Sequence, residues 1–96
     1  MLILTFEQGP AFFAPTVLSN VHKDMRICKE EIFGPIAPIS RFDTEEDAIN
    51  AANECDVGLA SYLYTTSLNR SARCSTALQS GMVAINTGVI SNAAAP

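Results

Sequence analysis

Seven consecutive residues, Lys29-Glu30-Glu31-Ile32-Phe33-Gly34-Pro35, place two carboxylates and an aromatic ring directly ahead of a forced turn. Pro35 fixes its own φ and pushes Gly34 away from the helical region, so any helical turn before it must stop there. Glu31 and Phe33 therefore sit at a chain reversal, and loops held by rigid flanks are where binding groups concentrate. A carboxylate accepts hydrogen bonds from both hydroxyls of a ribose, and a phenyl ring can cover the apolar face of a nicotinamide. Plainer roles fit the same residues. Glu31 can be a solvated carboxylate paired loosely with Lys29 or Arg26, and Phe33 can be ordinary core packing.

The thiols offer a second kind of chemistry. Cys28 lies between Arg26 and Lys29, cations that favour a thiolate, yet no general base is identifiable for it. Cys28, Cys55 and Cys74 form no C-x-x-C and leave one thiol over in any disulfide scheme, which points to reduced, structural cysteines. With His22 as the single histidine and no cluster of soft ligands, the residues do not suggest a zinc site.

The elements that must position these groups follow from the pattern of apolar residues. Phe13 to Leu18 reads as a short strand, with Pro15 marking an edge or a strand start. Val21 to Ile32 is mixed and polar, suiting a loop with one helical turn. Pro35 to Phe42 reads as a second strand, again with a proline, Pro38, that favours an edge or a bulge. Thr44 and Asp47 have capping-box spacing, and three further acids strengthen the start of a helix from Thr44 to Glu54. On that helix Ala48, Ile49, Ala52 and Cys55 are expected to share the inward face. Leu59 to Thr65 is a strand, and Ser67 caps a second helix whose face holds Leu68, Ala72, Ser75 and Leu78 and which Gly81 closes. Asn53 is expected to tie the first helix end to a neighbouring loop, while Arg41, Arg70 and Arg73 read as surface charges. Met82 to Asn86 completes the set as a buried type of strand. Alternating strands and helices over Pro35 to Asn86 predict a parallel sheet, and two short helices cannot cover both faces of it.

The order and spacing of Phe12-Phe13-Ala14-Pro15, Glu30-Glu31-Ile32-Phe33-Gly34-Pro35, Val57-Gly58-Leu59-Ala60-Ser61-Tyr62 and Gly81-Met82-Val83-Ala84-Ile85-Asn86-Thr87-Gly88-Val89-Ile90-Ser91 resemble the C-terminal part of the catalytic domain of NAD(P)-dependent aldehyde dehydrogenases. The branch it most resembles is that of the succinate-semialdehyde dehydrogenases. This resemblance implies an α/β fold, a partial catalytic domain with a small, mainly parallel sheet and two helices. It implies that in the intact enzyme Glu31 binds the nicotinamide ribose of NAD or NADP, that Phe33 contacts the nicotinamide, and that Ser91 helps hold the distal carboxylate of the substrate. Ser91 has a plain alternative as a polar residue on a frayed tail. A hydroxyl can donate to a carboxylate but cannot supply its counter-charge. The family's nucleophilic cysteine, general base and dinucleotide-binding domain lie upstream of the matching region. Residues 1–11 read as an atypical N-terminal segment and 12–96 as the aldehyde dehydrogenase-like part. A detached piece of an enzyme, with no catalytic residue, activity or bound cofactor of its own, is the resulting expectation, since 96 residues is the size of one small domain or less.

Composition bounds the alternatives. At 48% hydrophobic and 17% charged the chain has material for a core and too few charges for a disordered tail. A net charge of −4 argues against nucleic acid or anionic membranes as partners. Apolar runs fall far below the ~20 residues of a membrane span, and Met1-Leu2-Ile3-Leu4 lacks the basic start of a secretory signal, so the cytoplasm is the expected compartment. Uncovered sheet faces and edges predict self-association, with a homodimer as the simplest closed form. The same edges suit a partner-binding module as the second functional reading, and a small enzyme built on Cys28 is the third.

Overall fold

The computed structural model describes residues 2–3, 9–55 and 58–91. They form two compact units, one ending at Asp43 and the other starting at Thr44. Of the terminal segments read from the sequence, residues 1, 4–8 and 92–96 lie outside the described residues.

The first unit is a small mixed sheet, in the order β1 (Leu2–Ile3), β2 (Thr16–Leu18), β3 (Ile36–Pro38). β1 runs antiparallel to β2, with Leu2 opposite Val17, and β3 runs parallel to it, with Thr16 opposite Ile36 and Leu18 opposite Pro38. The strands are shorter than the apolar runs suggest because prolines bound them. β2 begins directly after Pro15, and β3 ends on Pro38 at a sheet edge, where the missing N–H costs no ladder bond. A 3-10 turn at Arg26–Cys28 fills the connection. Val21 is buried beside it, its N–H bonded to the Ile39 carbonyl at 3.1 Å.

The second unit holds α1 (Glu45–Asn53), β4 (Ala60–Leu63), α2 (Leu68–Ala77) and β5 (Met82–Ile85). β4 and β5 pair in parallel, from Ala60 opposite Met82 to Leu63 opposite Ile85, and α2 packs against both. The capping box forms as the spacing predicts. The Asp47 N–H donates to Thr44 Oγ1 at 3.1 Å, and the Thr44 N–H donates to Asp47 Oδ2 at 3.2 Å. Ser67 Oγ accepts from the Arg70 N–H and starts α2.

The α/β class, the two helices and the parallel pairing agree with the reading of the sequence. Five details do not. β5 is not the buried type of strand expected, because only Val83 and Ala84 turn inward while Met82, Ile85 and Asn86 are exposed. The parallel strands belong to two sheets: β3 pairs with β2, and β4 with β5, so the alternation yields one parallel pair in each unit. On α1 the inward stripe is Glu45, Ala48, Ile49 and Asn53, while Ala52 and Cys55 are exposed. On α2 it is Ser71, Cys74, Ser75 and Leu78, with Leu68 and Ala72 outside. Both stripes keep helical spacing but are rotated toward small or polar residues, which allow close approach and hydrogen bonding. Finally, α2 ends at Leu78, which turns extended, and Gly81 instead leads into β5. There its N–H donates to the Gly58 carbonyl at 3.0 Å, and a Cβ would stand 3.2 Å from the Leu59 carbonyl oxygen.

Candidate functional site

Two loops carry the residues with chemistry, one in each unit. The first follows the 3-10 turn. The Lys29 and Glu30 N–H groups both donate to the Arg26 carbonyl, at 2.9 and 2.8 Å, which closes the turn. Next come two back-to-back three-residue turns. The Gly34 N–H reaches the Ile32 carbonyl at 2.9 Å, and the Ile36 N–H reaches the Gly34 carbonyl at 2.8 Å. Phe33 is the central residue of the first and Pro35 of the second. The Pro35 carbonyl then accepts from the Thr16 N–H at 2.8 Å, tying the loop to β2.

Phe33 at this apex is 98% exposed, so it takes no part in core packing. Glu31 is also exposed, and among the described residues its carboxylate makes no hydrogen bond or ion pair. Of the two cations that the sequence offers to it, Lys29 makes no ion pair among the described residues and Arg26 is engaged elsewhere. Arg26 Nε and Nη2 both bond Glu30, at 2.8 Å each, one helical turn away. That fork raises the Arg26 pKa and lowers that of Glu30. Pairing of Glu31 with Arg26 is thus corrected to Glu30, which the closed turn brings into register. Cys28 is exposed nearby, and its thiol donates to the His22 carbonyl at 3.5 Å.

The second loop leaves the carboxyl end of β5, the end at which ligands of parallel sheets bind. Asn86 takes a left-handed φ of 53° there. Its N–H continues the ladder to the Leu63 carbonyl at 2.8 Å, while its side-chain amide brackets Thr65, accepting from the N–H and donating to the carbonyl at 3.0 Å each. Tyr64 Oη donates to the Thr87 carbonyl at 2.8 Å. Thr87 Oγ1 in turn accepts from the Val89 N–H at 3.4 Å. Ser91 is exposed two residues further on.

The profile of the aldehyde dehydrogenase family matches residues 4–96. The chain belongs to the aldehyde dehydrogenase family. The mitochondrial succinate-semialdehyde dehydrogenase of Oryza sativa subsp. japonica is 51% identical over 88 residues, which are 92% of this chain and 17% of that protein. The NADP(+) succinate-semialdehyde dehydrogenase of Escherichia coli K12 is 49% identical over 90 residues, 94% of this chain and 19% of that protein. The crystal structure of succinate-semialdehyde dehydrogenase from Burkholderia pseudomallei superposes with a TM-score of 0.88 at 50% identity, covering 95% of this chain and 19% of that one. The chain thus spans about a fifth of the length of the relatives it matches.

Within this aldehyde dehydrogenase chain, Glu31 and Phe33 share one loop, and Ser91 belongs to the other unit. Sequence reasoning passed over the Asn86–Thr65 bracket and the Tyr64 contact. Their signal was an asparagine ending an apolar strand ahead of Thr-Gly, a residue type that tolerates left-handed backbone. It also passed over a charge cluster: Arg70 and Arg73 are not independent surface charges but both bond Glu45, Arg73 through Nε at 3.0 Å to Oε1 and Arg70 through Nε at 2.9 Å to Oε2. Arg73, with Arg70 second, holds the Glu45 carboxyl down at about 2. Among the described residues, no group of three or more His, Cys, Asp or Glu is placed to hold a metal ion, and no helix is long and apolar enough to cross a membrane.

Proposed function

We propose that these residues form part of an NAD(P)-dependent dehydrogenase that oxidises succinate semialdehyde to the dicarboxylate, with residues 12–96 as the aldehyde dehydrogenase-like part, and that the 96-residue chain alone does not turn over. The single observation that carries the reading is the pairing, on one short loop, of a 98% exposed phenyl ring with a carboxylate that its neighbouring cation leaves alone. An apolar ring held on a tight turn has area to offer a flat heteroaromatic face. The unengaged Glu31 carboxylate has two oxygens for a pair of hydroxyls on one ribose. When bound, the dinucleotide supplies the acceptor for the two electrons that leave the aldehyde. Glu31 then holds the sugar, Phe33 limits water at the nicotinamide, and the back-to-back turns fix both against β2.

Ser91 donates a hydrogen bond to the distal carboxylate. Its counter-charge comes from outside the second unit, because the only cations after Asp43, Arg70 and Arg73, both close on Glu45. The family match and the succinate-semialdehyde dehydrogenase relatives support this substrate class. A cytoplasmic location goes with this reading.

The test is segment replacement. The matching segment of the Escherichia coli relative is exchanged for residues 9–91 and the enzyme assayed with NADP and NAD. The exchanged enzyme oxidises succinate semialdehyde, and Glu31→Gln or Phe33→Ala lowers dinucleotide-dependent turnover by about tenfold or more, as loss of substrate-positioning contacts does. Unchanged kinetics in both variants would refute the roles assigned to this loop. The isolated chain shows no reduction of either dinucleotide; steady turnover that survives repurification would overturn that part.

A further inference from the structure

We infer that Asn86, assisted by Tyr64, is the positioning residue for the loop that carries Ser91, and that it thereby sets the preference for an aldehyde with a distal anion. This rests on the role proposed for Ser91 and adds the device that makes the serine's placement reproducible.

The register supplies the argument. The β4–β5 ladder ends with Leu63 opposite Ile85, so Tyr64 and Asn86 would form the next rung and Thr65 and Thr87 the one after. At Asn86 the backbone turns left-handed, with φ 53°, and the main chain can no longer supply those rungs. The Asn86 amide takes over the missing peptide group, since it has one acceptor and one donor arranged as a peptide has, and it meets both the N–H and the carbonyl of Thr65 at 3.0 Å. Only one orientation of the amide satisfies both Thr65 groups, because its reverse sets donor against donor. Tyr64 Oη then takes the Thr87 carbonyl at 2.8 Å, and Thr87 Oγ1 takes the Val89 N–H. Gly88 passes close under this hydroxyl: a Cβ there would lie 3.8 Å from Tyr64 Oη.

The loop is therefore tied at Asn86 to Leu63 and Thr65 and at Thr87 to Tyr64, and the Val89 N–H is held in turn by Thr87. Ser91 follows two residues later, within the reach of that anchoring. A neutral hydroxyl is a weak handle on a carboxylate unless it arrives already oriented, so the anchoring is what lets Ser91 discriminate.

The experiment uses the Escherichia coli relative carrying residues 9–91, with succinate semialdehyde and butanal, its uncharged counterpart, as the two substrates. Asn86→Gly keeps the left-handed backbone free of strain and removes only the amide. It raises KM for succinate semialdehyde by about five- to tenfold, the worth of the oriented hydrogen bond, while kcat/KM for butanal stays within about twofold. Tyr64→Phe shifts the same ratio in the same direction by a smaller factor. Asn86→Gly with Ser91→Ala is no worse than Ser91→Ala alone, because a misplaced serine and an absent one are equivalent. Amide relaxation on the 96-residue chain adds a direct readout: Asn86→Gly loosens 88–91 and leaves the Leu63 and Val83 amides unmoved. Equal loss on both substrates, or full additivity of the two substitutions, would overturn the inference, as the amide would then be serving stability only. If Ser91→Ala has no effect on preference while Asn86→Gly does, the positioning role stands and the role of the serine falls.

Discussion

Removing the Asn53 side chain takes away the two hydrogen bonds that join the end of α1 to the end of α2, and leaves the Glu45 cluster between the same helices in place. Asn53 is the last residue of α1; its Nδ2 donates to the Ala77 carbonyl and its Oδ1 accepts from the Gln79 N–H, at 2.9 Å each, across 24 and 26 residues of sequence. Ala77 and Gln79 are exposed, so water can reach both groups once the amide is gone. Asn53→Ala therefore loses the net value of two hydrogen bonds and avoids the larger penalty of a buried unpaired group, a cost of about 1 to 2 kcal/mol. Alanine returns about half a kcal/mol through its better helix propensity. Asn50→Ala on the exposed side of the same helix gains that propensity and loses no bond among the described residues, so the difference between the two variants cancels it. Urea unfolding followed by circular dichroism, at one fixed protein concentration, should separate them by about 1 to 2 kcal/mol, or roughly 4 to 8 °C per kcal/mol in a thermal scan. Equal stability of Asn53→Ala and Asn50→Ala would refute the claim that this amide ties the helices.

Three further outcomes are expected. Thiol titration of the folded chain should find Cys28 and Cys55 fast and Cys74 slow until unfolding, since the first two are exposed and Cys74 is buried; three equally fast thiols would contradict the α2 packing. The Glu45 carboxyl is held at about 2 in the folded chain against an ordinary value of 4.5, so its contribution is fully present above 4.5 and is lost as pH falls toward 2. Melting temperature should fall over that window with a shallower slope in Glu45→Gln, and parallel curves would remove the cluster from the account of acid stability. Sedimentation equilibrium should show self-association, a dimer first, because Phe12, Phe13 and Phe42 of the first unit are each 65–68% exposed; a monomer persisting at high concentration would refute this.

Features set by local chemistry were legible from the sequence. Thr44, Asp47 and Ser67 announce their caps because a cap needs a hydroxyl or carboxylate at a fixed offset and nothing else. Pro15 announced the start of β2, and Gly34-Pro35 the reversal on which Glu31 and Phe33 stand. What stayed hidden depends on partners distant in sequence. Which face of α2 turns inward is decided by the close approach of Cys74, not by the larger Leu68, and apolar periodicity favours the larger residue. Arg26 could reach either of two adjacent glutamates, and only the closure of the 3-10 turn selects Glu30. The charge cluster needs Glu45 and two arginines 25 and 28 residues away to converge, and the Asn86 bracket needs the β4–β5 register, neither of which a linear pattern contains.

The way β5 ends has a consequence for descent. A one-residue slip in strand pairing would turn every side chain of the strand to the other face, so a fixed strand end protects the register. Here the side chains of Asn86 and Tyr64 write the final rungs, and the chain leaves the sheet after Thr87. Insertions, deletions or substitutions after Val89 can then accumulate without disturbing Leu63 or Ile85. Under the role proposed for Ser91, substrate preference could then change by rewriting a short appendix, with the sheet inherited unchanged.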